Sequence, residues 1–197
     1  MSWRGYIFLA FSKYEVVEWS GGLAVDISPK VVTRERELNE VRICRAEKKD
    51  LSDIINLSVE IVSYSMSPQR QNDLVKAEKI RRDDMAALYW QISKGNMAVF
   101  IAKNAENKIV GHVVAKLDMV DFLTGEKQAW VLDLAVKPEY WSCGLGQKLM
   151  EAVETAALGV GVKYVGLTVT CANRRAADFY KKMGYQDERV QMVKELG

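Results

Sequence analysis

The chain has 197 residues, 49% of them apolar, enough for one well-filled core and too few for two ordinary domains. Its 28 Lys and Arg against 26 Asp and Glu leave a net charge of +2, which excludes a general affinity for nucleic acid or anionic membrane. Cys44, Cys143 and Cys171 form no CxxC pair, and with His112 as the one histidine they do not assemble a zinc site, so the expectation is a metal-free intracellular protein. The start "MSWRGYIFLAF" sets Arg4 before a short apolar run, but Tyr14, Glu15 and Glu18 follow too soon for a signal peptide. No stretch approaches the ~20 apolar residues of a membrane span, so a cytoplasmic location without membrane partners is expected.

Residues 1–38 read as a β-rich extension: "YIFLAF", "YEVVEW" and "LAVDI" are strand-like, with Ser20-Gly21-Gly22 as the turn. The charged seam "TRERELNE" leads into a second unit, residues 39–197. There "VRICRA" is a strand, and Asp50 is placed to cap a helix with Leu51, Ile54, Ile55, Ile61 and Val62 on one face. A second helix spans about Asn72 to Ser93, with Met85, Leu88, Tyr89 and Ile92 inward and Gly95 as its stop. "MAVFIAK", "KIVGHVVAKLDMV" and "QAWVLDLAV", separated by the turn signals "NAENK" and "LTGEK", predict three antiparallel strands.

After that meander the order changes. A helix from about Gly144 to Leu158 carries Leu145, Leu149, Val153 and Ala156 on one stripe, and "KYVGLTV" is a strand. Arg174 to Met183 is a helix ended by Gly184, and "RVQMVKEL" reads as a last strand. The pattern predicts an α/β protein of mixed α+β character, with a mixed central sheet and helices on both faces.

The stretch "PEYWSCGLGQKLM" sets Gly144 and Gly146 where an apolar strand gives way to a helix. Backbone N–H groups at a helix start lack intrahelical acceptors, and the peptide dipoles leave positive charge there, so a glycine loop at that place suits a phosphate. The P-loop pattern is absent, because no second glycine precedes a Lys-Ser/Thr pair at the required spacing. The dinucleotide fingerprint is absent as well: its third glycine position is Leu149.

"LDLAVKPEYWSCGLGQKLM", followed by "VGLTVTCANRRAADFYKKMGY", resembles the GNAT superfamily of acyl-CoA-dependent N-acyltransferases. The element order fits that family from about Val41 to Leu196. Its loop pattern is Arg or Gln, two residues, Gly, any residue, then Gly or Ala; here Trp141, Gly144 and Gly146 hold those positions, so the first departs. The resemblance implies acetyl-CoA as co-substrate, its diphosphate on the amides of Ser142, Cys143, Gly144, Leu145, Gly146 and Gln147, and its pantetheine arm beside Leu134, Ala135 and Val136. The departure at Trp141 removes a cation worth about 0.3 to 1 kcal/mol where exposed. Trp141 either stacks on the adenine, covers the loop or packs on the sheet edge.

Asn173 begins the following helix, as an N-cap or, by family likeness, as a hydrogen-bond partner of the pantetheine arm. Tyr180 lies two turns along the same face, where the resemblance implies an acid for the leaving thiolate; its plainer role is a core tyrosine. Asp133 in the central strand is the first candidate base, directly or through water, or a backbone hydrogen-bonder where the strands splay. In bacterial ribosomal-protein N-terminal acetyltransferases a glutamate stands five residues before the asparagine; Thr168 holds that place here. His112 reads as structural, and no basic partner for Cys143 or Cys171 is visible, which favours direct transfer over a cysteine nucleophile.

The expected activity is N-acetyl transfer from acetyl-CoA to a primary amine, a protein N-terminus or a small molecule, in a ternary complex. A CoA-binding sensor without turnover is the alternative, motivated by Trp141 and Thr168. "LAVKPEY", "GLGQKLM" and "YVGLTV" resemble the protein N-terminal acetyltransferases, but only "QDERVQMVKELG" follows Tyr185, with no loop bearing paired tyrosines. Residues 1–38 protect a sheet edge, complete a substrate pocket or exchange within a homodimer.

Overall fold

A computed structural model describes residues 40–70, 73–87 and 95–196. The expected extension over residues 1–38, and Asn72, Leu88, Tyr89 and Ile92 of the expected second helix, lie outside the described residues. Among the described residues, five strands and four α-helices follow one another: β1 (Arg42–Arg45), α1 (Leu51–Glu60), α2 (Leu74–Ala87), β2 (Met97–Lys103), β3 (Ile109–Val120), β4 (Lys127–Val136), α3 (Leu145–Gly159), β5 (Tyr164–Leu167) and α4 (Arg174–Lys182). The strands lie in sequence order in one sheet, antiparallel from β1 to β4 and parallel between β4 and β5. This is the mixed sheet that a meander followed by an α-helical crossover predicts.

Strand alternation sorts the core into two layers. Met97, Val99 and Ile101 of β2 join Ile54 and Leu57 of α1 and Met85 of α2 on one face. Ala98 and Ala102 join Leu145, Leu149, Met150 and Val153 of α3 on the other, with Phe179 and Tyr180 of α4 packed against them. Both faces being covered, β2 is buried along nearly its whole length, and its sequence accordingly reads as an apolar run rather than an alternation.

One irregularity in this sheet governs everything downstream. Val114 pairs with Asp133 but the next residue, Ala115, pairs with Val131, so Leu132 is an extra residue in β4. A one-residue insertion reverses which face each following side chain takes. Val131 accordingly packs on the α3 layer while Ala135, four residues on, packs on the α1 and α2 layer. Asp133 is turned by the same device toward α2.

Two helix starts differ from expectation. Asp50 stands at the head of α1 without a side-chain cap bond to it; its carboxylate accepts from the Glu47 amide across the short turn Lys48–Asp50 and pairs with the buried Lys103 ammonium at 2.8 Å. The second helix is capped by Asp73, whose Oδ1 accepts from the Lys76 amide at 3.0 Å.

The expected last strand over residues 189–196 is absent: this segment pairs with no described strand, and Val190, Met192 and Leu196 are exposed. An apolar alternation becomes a strand only where a sheet edge receives it. Instead Arg189 anchors the segment, through Asp121 Oδ2 at 2.6 Å and the Phe122 ring beneath its guanidinium. Amide bonds from Thr124, then Arg189, hold the Asp121 carboxyl down at about 2 against an ordinary 3.8. A depressed folded value means the contribution is complete above about pH 3.8 and lost as pH falls through 2. Asp121→Asn is therefore expected to flatten the fall in melting temperature between pH 4 and pH 2; parallel curves for the two proteins would refute this anchor.

Candidate active site

Parallel pairing of β4 with β5 runs from Gln128 opposite Tyr164 to Val131 opposite Leu167 and stops there, directly before the inserted Leu132. Beyond that point β4 continues without β5 beside it. The opening leads into a cavity of about 110 Å³ lined by Ser65, Arg81, Val131 to Leu134, Leu167 to Thr170, Asn173, Ala176 and Tyr180. It brings together Asp133 and Leu134 of β4 with Asn173 and Tyr180 of α4, two elements well separated in the chain. Ala135, Val136 and residues 142–147 are outside its lining.

Asp133 is buried, and both carboxylate oxygens are engaged: Oδ2 accepts from His112 Nε2 at 2.7 Å and Oδ1 from Arg81 Nη2 at 3.2 Å. Burial pushes its carboxyl up, but the His112 hydrogen bond and charge, then the Arg81 guanidinium, outweigh it and hold the group below its ordinary value. The result is an ionised carboxylate in the cavity wall, its charge met by the Arg81 guanidinium. His112 is fully buried, and its Nδ1 has no partner among the described residues. His112 and Arg81 are thus part of the site, although neither is marked in the sequence by spacing to Asp133.

The Tyr180 phenol is pushed up to about 12, first by burial and then by the charge of Asp133. It is a donor throughout the physiological range, and its hydroxyl bonds to no described residue. Its ring packs on Phe179 and Tyr185 at centroid distances of 5.0 and 5.7 Å, so the core role and the cavity-lining role coexist in one side chain. Asn173 also holds two positions: Oδ1 caps α4 by accepting from the Ala176 amide at 3.2 Å, and the residue lines the cavity.

The glycine loop enters α3 from the same end of the sheet. Gly144 is the N-cap residue with φ of 80°, a conformation open to glycine at little cost, and a Cβ there would meet nothing within 4 Å. Ser142, with φ of 64°, is left-handed too, and such alternations turn successive N–H groups toward one concavity. The amides of Leu145, Gly146 and Gln147 occupy the first turn, where no intrahelical acceptor exists. Gly146 has a different reason to be bare: a Cβ there would stand 3.3 Å from Phe179 Cζ, so α4 packs directly against the start of α3. This donor set fits a phosphate anion.

Trp141 packs rather than floats. Its Nε1 donates to the Val136 carbonyl at 2.6 Å, the Tyr64 ring meets it edge-on at 5.0 Å, and Arg175 lies over its face. Cys143 donates weakly to the Trp141 carbonyl, and Thr168 lines the cavity. Among the described residues no group of three His, Cys, Asp or Glu could hold a metal ion, and no helix is long and apolar enough to cross a membrane.

Comparison with known proteins supports the same conclusion. An uncharacterized N-acetyltransferase of Archaeoglobus fulgidus is 31% identical over 140 residues, 71% of this chain and 89% of the relative. The bovine (Bos taurus) Thialysine N-epsilon-acetyltransferase is 39% identical over 61 residues, a match spanning 31% of this chain and 36% of that enzyme. The fold superposes on a putative acetyl transferase from Pyrococcus furiosus with a TM-score of 0.67 and 26% identity, covering 80% of this chain and all of the other. It also superposes on the PaiA N-acetyltransferase of Thermoplasma acidophilum, solved with coenzyme A, with a TM-score of 0.63 and 20% identity over 77% of this chain and 92% of the other. The sequence profile of the Acetyltransferase (GNAT) family matches residues 63–185, the stretch that holds the splay, the cavity and the glycine loop. With that match covering more than half its length, the chain belongs to the acetyltransferase (GNAT) family and is an acyltransferase.

Proposed function

We propose that this protein transfers an acetyl group from acetyl-CoA to a primary amine in a single ternary complex. The observation that carries the reading is the cavity at the β4–β5 splay, where a protonated phenol and a buried carboxylate share one small space beside a helix start rich in free amides. Acetyl-CoA supplies the acyl group as a thioester, reactive toward a neutral amine. The residues that would hold it are Ser142 to Gln147 at the diphosphate, with the backbone of Leu134, Ala135 and Val136 and the amide nitrogen of Asn173 along the arm.

The chain's own groups then divide the work. Asp133, ionised and held by His112 and Arg81, takes the amine's proton directly or through water. A carboxylate held this low is a weak base, so a water relay to solvent completes that transfer more readily than Asp133 alone. The Leu134 amide or its neighbours supply the contact for the developing oxyanion. Tyr180 donates its hydrogen bond to the departing sulfur.

The acceptor is a small-molecule amine or a peptide N-terminus. The name of the bovine relative supports the first class, as does a neighbouring aminoglycoside acetyltransferase structure at a TM-score of 0.55. Release of CoA thiol from acetyl-CoA, measured against lysine analogues, polyamines, aminoglycosides and short peptides, tests the reading. Amine-dependent thiol release with at least one class is expected. Tight acetyl-CoA binding without any such release would favour the CoA-binding sensor, which Trp141 and Thr168 motivate.

A further inference from the structure

The loop from Trp141 to Gln147 carries no basic side chain of its own. A guanidinium nevertheless stands beside it. Arg175, in the first turn of α4, lies with Cζ 3.4 Å from the centroid of the Trp141 ring. That indole is fixed from two other directions, by its bond to the Val136 carbonyl and by the edge-on Tyr64 ring. A planar guanidinium stacked on a fixed ring is itself held in place, with the N–H fork in its plane still free to donate.

No described residue takes a hydrogen bond from that fork. Arg175 makes no ion pair or hydrogen bond to a described residue, whereas Arg81 and Arg189 each meet a carboxylate. Its position is also unfavourable for the isolated protein. Arg174 and Arg175 both occupy the start of α4, the end where the peptide dipoles already leave positive charge. Partial burial disfavours the charge on Arg175 further. A preorganised cation at a positive helix end, stacked on the first residue of an amide-rich loop and without an anionic partner among the described residues, suits an anion.

We infer that Arg175, held on Trp141, binds a phosphate group of CoA at the loop Ser142 to Gln147, and so supplies from α4 the cation that the loop itself lacks. This rests on the reading of the loop given above. Trp141 is then a platform for the cation rather than a lost contact. The phosphate is either in the diphosphate or on the ribose.

Calorimetric titration of the full chain with CoA and with dephospho-CoA tests the inference. Arg175→Gln is expected to weaken CoA binding about tenfold and to leave the melting temperature unchanged or raised, since a cation leaves the helix start. Arg174→Gln, which removes the same charge from the neighbouring position, is expected to stay within about twofold. Equal loss for CoA and dephospho-CoA in Arg175→Gln assigns the diphosphate; a loss confined to CoA assigns the ribose phosphate. CoA affinity unchanged in Arg175→Gln, or reduced equally in Arg174→Gln, would overturn the inference while leaving the loop reading intact. A wild-type chain that binds no CoA would overturn both.

Discussion

Gly146→Asp is expected to weaken CoA binding more than about 100-fold, about 2.8 kcal/mol, in a calorimetric titration, with Gly146→Ala losing far less. The pair of substitutions separates two effects at one position. Either one places a Cβ 3.3 Å from Phe179 Cζ, a contact that a small shift of the ring end relieves. Only aspartate adds a negative charge among the first-turn amides of α3, where it takes the place of a phosphate. Because a carboxylate near a helix N-terminus favours the helix, loss of folding does not account for the difference. Equal affinities for the alanine and aspartate variants would remove residues 142–147 from the diphosphate site.

Tyr180→Phe is expected to lower kcat about 100-fold while leaving CoA affinity within about twofold. The ring keeps its contacts with Phe179 and Tyr185, so the loss belongs to the hydroxyl alone. The direction of the Tyr180 shift constrains how that hydroxyl acts. A cysteine thiol titrates near 8.5, and a phenol pushed up to about 12 gives its proton to a thiolate only uphill. Tyr180 therefore stabilises the leaving sulfur as a hydrogen-bond donor, with the proton transferred late. The corresponding pH profile has no alkaline limb from Tyr180 below about pH 11. An unchanged kcat in Tyr180→Phe would leave Tyr180 as a packing residue only.

The elements that were legible in the sequence are those whose signals are local. Leu145, Leu149 and Val153 define the α3 stripe by their spacing, and the turn signals "NAENK" and "LTGEK" mark the meander; the structure places these as expected. Asp133 and Tyr180 were legible through the family resemblance, with no local signal linking them. Three features were not legible. The insertion at Leu132 depends on pairing with β3, a partner that the strand's own alternation does not reveal. His112 and Arg81 reach Asp133 across 21 and 52 residues of chain, each an ordinary strand or helix residue by its neighbours. The segment after Tyr185 has the alternation of a strand but pairs with no described strand, so period alone misled. Trp141 shows the same limit from the other side: as a sequence departure it reads as a missing cation, and only the fold sets Arg175 on its face.

The central claim is that free amides at the start of α3 hold the diphosphate of CoA while its sulfur lies beside Tyr180. Diffraction from the full chain crystallised with CoA tests it most directly. The account predicts diphosphate oxygens within about 3.2 Å of the Leu145, Gly146 and Gln147 amides, and the sulfur in the cavity between β4 and β5. A diphosphate bound elsewhere on the protein, or a sulfur on the far side of the sheet from Tyr180, would contradict it.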